Sequence, residues 1–253
     1  MNKPVLDCKH ISFSYHTLSG ETKALKDISF SIFPGEFVSI VGPSGCGKST
    51  LLSLISGLEK PQSGEISLHL EDKKSIGYML QQDHLFEWRT IKDNVLLGPE
   101  INHTLTKEKE NYALSLLEEY GLFQFVNKKP SELSGGMRQR AALIRTMVMS
   151  PSLLLLDEPF SALDFQTRLS VSSDIGAIIK KSNITAILIT HDLAEAISLS
   201  DRIIVLSKRP GEVKKEIKIK LSKTDETALS ARSAPEFNDY FNLLWKEISD
   251  EYE

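Results

Sequence analysis

The sequence predicts an α/β protein: a core sheet of parallel strands, an antiparallel β subdomain, and a helical subdomain inserted between strands of the main sheet. Three observations lead there. Short runs that are apolar at every residue recur along the chain, which suits strands covered on both faces, as in parallel sheets. The first three runs each lead through a polar or glycine-rich turn into a helical pattern, so strand and helix alternate. Residues 88–150, between the first two runs, carry no convincing strand.

In chain order, residues 1–35 and 62–80 are turn-punctuated and alternate in polarity, as in Glu65-Ile66-Ser67-Leu68-His69-Leu70, and are assigned to antiparallel strands. Phe37-Val38-Ser39-Ile40-Val41 is the first core strand. Within 88–150, Ala113, Leu116, Leu117 and Tyr120 recur at helical spacing, with Gly121 placed to end the helix. Core strands resume at Leu153–Leu156, Ala186–Ile189 and Arg202–Leu206. A polar stretch from Leu221 to Pro235 precedes an amphipathic helix carrying Phe237, Phe241, Leu244 and Ile248 on one face. The expected division is 1–87 with 151–220 as core plus antiparallel subdomain, 88–150 as the helical insert, and 221–253 as a short tail.

Composition narrows the function classes. The chain has 253 residues, 30 Lys+Arg against 34 Asp+Glu, and a formal charge of −4. That balance offers no electrostatic footprint for nucleic acid and no basic patch for anionic lipid. No run approaches the ~18 apolar residues of a membrane span, and Met1–Asp7 lacks the apolar core of a signal peptide. Two cysteines, Cys8 and Cys46, are too few for a disulfide framework. A soluble, cytosolic protein is expected.

The chemistry is sought beyond the carboxyl ends of the parallel strands, where open α/β sheets bind ligands. Gly42-Pro43-Ser44-Gly45-Cys46-Gly47-Lys48-Ser49 matches G-x-x-x-x-G-K-[ST] between the strand at 37–41 and an apolar helical run, Thr50 to Leu58. Glycines let the loop turn its N–H groups inward around phosphate, and the helix start adds partial positive charge. Lys48 is placed to reach the β- and γ-phosphates, and the Ser49 hydroxyl to ligate Mg²⁺, which makes this a P-loop NTPase signal. Cys46 reads as a small filler residue, a redox role requiring a lowered pKa. The leucine strand delivers Asp157-Glu158-Pro159 at its end. One carboxylate there suits Mg²⁺ bridging the phosphates, and its neighbour suits an attacking water.

Leu133-Ser134-Gly135-Gly136-Met137, read alone a helix cap, lies between those two motifs. With them it resembles the signature, LSGGQ, of the ATP-binding-cassette (ABC) ATPases, with Met137 in place of the glutamine. The resemblance covers nearly the whole chain. It implies a RecA-like parallel-sheet core and a substrate, ATP, taken with Mg²⁺. It also implies a trans arrangement in which Ser134, Gly135, Gly136 and Met137 contact the γ-phosphate held by a second copy of the chain. Gln81 matches the Mg²⁺-sensing glutamine, although Gln82 follows directly. Asp164, in Ser161-Ala162-Leu163-Asp164, matches the loop crossing the dimer interface. His191 matches the switch histidine; alone, a histidine at a strand end reads as a surface residue. Tyr15 matches the aromatic that stacks on adenine, although a tyrosine in an early strand fits a core equally well. Thr50 completes the nucleotide-binding loop. His10, His16, His69, His84 and His103 have no metal-ligand spacing.

One cassette of this length implies a transporter subunit or, alternatively, a soluble ABC ATPase. Leu85–Val95, with its Trp88-Arg89-Thr90 triplet, Asp157–Arg168 and Ser233–Phe237 resemble the nitrate/sulfonate/taurine importer ATPases, a subfamily that includes importers of thiamine precursors. Trp88 alone reads as a core aromatic of the helical subdomain. The resemblance implies separate integral membrane permease subunits, an indirectly acting solute-binding protein, and a place on the inner face of the cell membrane.

Overall fold

The computed structural model describes residues 3–18, 20–70, 76–222 and 227–249. Parts of the expected 1–35, 62–80 and 221–253 segments (1–2, 19, 71–75, 223–226 and 250–253) lie outside the described residues.

Two sheets organise the chain. β1 (Leu6–Thr17), β2 (Gly20–Ile32) and β4 (Ser63–Leu68) form an antiparallel sheet in the order β2-β1-β4. The second sheet runs β5 (Ile76–Met79), β6 (Leu153–Asp157), β7 (Thr185–Ile189), β3 (Phe37–Val41), β8 (Arg202–Leu206), β9 (Val213–Lys218). Its first five strands are parallel, and β9 joins antiparallel at the edge.

Every residue of β3, β6, β7 and β8 is buried because the sheet is covered on both faces, and the period-two pleat sends alternate side chains to different cores. Leu154, Leu156 and Leu188 pack with Leu117, Leu143 and Ile175 on the helical side. Leu153, Leu155 and Ile187 pack with Leu6, Ile28 and Leu52 beneath the antiparallel sheet. Removing any one of these fully buried leucine side chains to Ala costs about 2–5 kcal/mol.

One assignment is corrected. Residues 76–79, expected with the antiparallel strands, form β5 and pair in parallel with β6. β5 is an edge strand whose exposure alternates between half-buried and buried, so it carries the polarity pattern of a one-sided antiparallel strand. Nor is Trp88 a core aromatic: it is 74% exposed and stacks on Phe86 with ring centroids 4.8 Å apart.

Between residues 88 and 150 the described segments are helical: α2 (Ile91–Val95), α3 (Leu97–Ile101), α4 (Lys107–Glu119), α5 (Gly135–Met147) and two short 3₁₀ turns. The hydroxyls of Thr90 and Thr106 cap α2 and α4 by accepting the N–H of Asp93 and Lys109, each contributing about 1 kcal/mol. Gly121 follows α4 at φ 71°, as its sequence position implied. The insert shares its core with one face of the main sheet.

α1 (Lys48–Ile55) follows β3, α6 (Phe165–Lys181) follows β6 and α7 (Leu193–Leu199) follows β7. The polar stretch after Leu221 contains a short helix the pattern did not suggest, α8 (Ala228–Ser233), capped by Thr227. α9 (Phe237–Ser249) buries Phe237 and Leu244 against Leu193, Ile197, Ile203 and Ile217.

Candidate active site

The carboxyl ends of β5, β6, β7 and β3 lie side by side, and each delivers one piece of the site: Gln81, Asp157 with Glu158, His191, and the phosphate loop. Strand order thus brings together residues far apart in the chain.

In the loop, Gly45 and Gly47 have φ of 74° and 106°, a left-handed geometry that glycine adopts without the Cβ penalty. Gly47 is also the N-cap of α1, and a Cβ there would stand 2.7 Å from Leu25 Cδ2 and 2.9 Å from the Ala24 carbonyl. Lys48 is buried; its ammonium donates to the carbonyls of Gly42 and Pro43, both at 2.9 Å, which fixes it beneath the loop. Cys46 is buried, and burial pushes its thiol up despite the nearby Lys48 ammonium, so it stays a protonated filler.

Ser49 donates to Asp157 Oδ1 at 3.1 Å, and the Tyr78 hydroxyl lies 3.4 Å from Oδ2. Burial raises the Asp157 pKa, with the Ser49 hydrogen bond opposing it. A hydroxyl and a carboxylate set together beside a phosphate loop are hard oxygen donors of the kind Mg²⁺ takes alongside substrate phosphates. No group of three or more His, Cys, Asp or Glu gathers as a metal cluster among the described residues. The Ser49 hydroxyl and the Asp157 carboxylate are oxygen donors that fit such a cation.

Glu158 stands at φ 45°, a conformation costly for a residue with a Cβ, and is held there by its N–H donating to the Ile189 carbonyl at 2.9 Å. Its Oε2 lies 3.1 Å from His191 Nδ1 and 3.5 Å from Gln81 Nε2. With its proton on Nδ1, His191 donates to this carboxylate. Gln81, not Gln82, makes these contacts; it also donates to Ser161 Oγ at 3.2 Å, and Ser161 donates to the Glu158 carbonyl at 3.0 Å.

Glu158 and His191 border a cavity of about 890 Å³, lined also by Gly42, Ser44, Gly45 and Gly47 to Thr50 of the loop and by Tyr15. Tyr15 is 43% exposed at its rim, its hydroxyl 3.0 Å from Thr50 Oγ1, and so is not a core residue. Sequence reasoning missed several further lining residues, among them Arg209, Trp245 and Ile248. Arg209, in the turn after β8, donates to the Gly45 carbonyl at 3.2 Å, and Trp245 and Ile248 arrive from α9. All three lie far along the chain from any motif, and the apolar helix face that carries Ile248 gave no sign that it borders this cavity.

The signature residues are not part of this cavity. Ser134 is the N-cap of α5, its hydroxyl accepting from Met137 N–H, and Ser134, Gly136 and Met137 line a separate depression with Gln166 and Thr167. Asp164 caps α6 by accepting from the Gln166 and Thr167 N–H groups, and the Thr167 side chain together with these N–H groups holds its carboxyl below the usual range. No helix among the described residues is long and apolar enough to cross a membrane.

Comparison with known proteins matches this architecture. The ABC transporter family profile matches residues 25–161, from within β2 through Ser161. An uncharacterized ABC transporter ATP-binding protein of Bacillus subtilis, YtlC, is 47% identical over 96% of this chain and 95% of its own. The taurine import ATP-binding protein TauB of Roseobacter denitrificans is 36% identical over 95% of this chain and 94% of its own. The nitrate import ATP-binding protein NrtD of Synechocystis is 40% identical over 87% and 86%. Among solved structures, the dimeric post-hydrolysis cassette MJ0796 bound to ADP and Pi superposes with a TM-score of 0.70 at 32% identity, covering 85% of this chain and 99% of that one. Loop, sheet order and relatives agree along nearly the full sequence, and the chain belongs to the ABC transporter family as an ATP-binding cassette, an ATPase.

Proposed function

We propose that this cassette is the ATP-hydrolysing subunit of an importer, working as a head-to-tail pair beneath separate permease subunits on the inner face of the cell membrane. One observation carries the catalytic half of this reading: Gln81 and His191 converge on Glu158 while the adjacent Asp157 faces Ser49 of the phosphate loop. The import half rests on relatives that match 86–94% of their own lengths and are named for taurine and nitrate import. The solute is accordingly a small molecule of the nitrate, sulfonate, taurine or thiamine-precursor kind, which the ATPase itself does not touch.

In this mechanism Lys48 and the loop N–H groups hold the phosphates, with Tyr15 stacked on the base. Ser49, Asp157 and Gln81 would hold Mg²⁺, which would supply neutralisation of the phosphate charge. Glu158 accepts the proton of the attacking water, and His191 orients that carboxylate and the γ-phosphate. Ser134, Gly135 and Gly136 of the second copy present the start of α5 to the same phosphate, where an anion is favoured. ATP thus binds the closed pair better than the open one, the differential affinity a switch requires.

Affinity purification of the full chain from detergent-solubilised native membranes tests the importer reading. The expected result is a multi-span permease in stoichiometric amount. Recovery of the chain from the soluble fraction alone, without a permease, favours a soluble ABC ATPase.

A further inference from the structure

Beside the Glu158 carboxylate lies a second charged cluster to which the mechanism above gives no role. Arg168, on the first turn of α6, donates through Nη2 to the Leu163 carbonyl at 2.9 Å, within the loop that ends at Asp164. Its Nη1 lies 3.7 Å from Asp192 Oδ2, and its Nε 3.9 Å from Glu195 Oε1. Both acids belong to the segment that carries His191. Asp192 Oδ1 caps α7 by accepting from the Ala194 and Glu195 N–H groups, which leaves Oδ2 for Arg168. Glu195 is 3% exposed and accepts the Thr190 hydroxyl at 2.7 Å, while Thr190 Oγ1 accepts the Asp192 N–H at 3.0 Å. The residues on either side of His191 are therefore tied inward, which sets the backbone from which its ring reaches Glu158.

The cluster is unfinished at one atom. Arg168 Nε is buried and has no hydrogen-bond partner, Glu195 Oε1 being the carboxylate oxygen it faces. A contraction of about 1 Å turns that approach into a charge-assisted hydrogen bond.

We propose that Arg168 is a positioning residue which, with Glu195 as its buried partner, transmits the placement of the Asp164 loop to His191. Docking of a second copy against that loop moves the Leu163 carbonyl, Arg168 follows it, and Asp192 and Glu195 carry the movement to the histidine. Hydrolysis in one subunit thereby depends on the seating of the other. This inference rests on the paired-cassette reading above.

Burial pushes Glu195 up to about 7, with Asp192 adding to the rise and Thr190, Arg168 and His191 opposing it. Below that pH the carboxyl is protonated and Arg168 keeps only Asp192 as a charged partner; above it the buried pair with Glu195 forms.

The experiment measures MgATP hydrolysis and nucleotide affinity of the full chain carrying Arg168→Ala or Glu195→Gln. The expected result is a fall in kcat between about tenfold and a hundredfold, the size of a misplaced catalytic group, with nucleotide affinity within about twofold of wild type. The wild-type kcat profile is expected to carry an acid limb near pH 7 that Glu195→Gln flattens. The inference is overturned if kcat stays within about twofold in both variants, if affinity falls as much as kcat, or if the acid limb is the same in Glu195→Gln. Should Arg168→Ala not fold, Glu195→Gln decides alone. Glu158→Gln serves as control: failure of that variant to dimerise in MgATP overturns the paired-cassette reading itself, and wild-type hydrolysis by it overturns the assignment of Glu158 as proton acceptor, whatever Arg168 does.

Discussion

The phosphate loop and the signature turn are both Ser/Gly-rich segments leading into a helix, yet they are built for opposite purposes. In the loop, Gly45 and Gly47 take left-handed backbone, Lys48 is buried beneath them, and the surrounding side chains enclose a cavity. In the signature turn, neither Gly135 nor Gly136 has positive φ; Ser134 and Gly135 lie exposed at the start of α5. Glycine is required there by packing: a Cβ on Gly136 would meet Thr167 Cγ2 at 2.8 Å and Val171 Cγ2 at 3.0 Å. One turn borders a cavity within the chain. The other presents a helix N-terminus outward, capped by Ser134, and has its use, in the proposed pair, across an interface.

That contrast is tested from its strongest consequence downward. Lys48→Ala removes a cation from the phosphate loop, and nucleotide affinity by calorimetry is expected to fall roughly 100-fold, the loss of one to two charged hydrogen bonds. Unchanged binding removes the loop from the mechanism. Ser134→Arg breaks the outward turn instead. Hydrolysis is expected to fall at least about tenfold while nucleotide affinity of the isolated chain holds, because the affected contact forms only in the pair. A parallel loss of both would mean that the two turns serve one cavity. Gly136→Val forces α5 from α6, with an expected destabilisation of about 1–3 kcal/mol in urea unfolding. Tyr15→Ala is the mildest: losing a stacking partner worth about 0.5–1.5 kcal/mol raises the ATP dissociation constant about twofold to twelvefold.

The same contrast governs what was legible in the sequence. The phosphate loop was readable because its chemistry is local: glycines, lysine and serine must stand at set spacing between a strand and a helix. The four fully buried strands and the helix stop at Gly121 were readable for a similar reason, since burial on both faces and a left-handed turn each mark adjacent residues. β5 was misread because an edge strand of a parallel sheet is covered unequally and so alternates. β9, with three charged residues exposed in a row, showed no strand pattern at all. The convergence of Gln81, Glu158 and His191 was reached only through a family resemblance, because strand order, not spacing, sets them side by side. Arg168 and Glu195 belong to no local pattern; their relation exists only once α6 and α7 are packed.

Sedimentation of Glu158→Gln, with and without MgATP, tests the central claim most directly: one loop bordering a cavity and one outward turn make a composite active site. With its proton acceptor removed but both turns intact, this variant is expected to bind ATP, to lose nearly all hydrolysis, and to sediment as a dimer in MgATP and a monomer without it. Adding Ser134→Arg should return it to the monomer. A Glu158→Gln chain that stays monomeric at saturating MgATP, or a double variant that still dimerises, would contradict the claim.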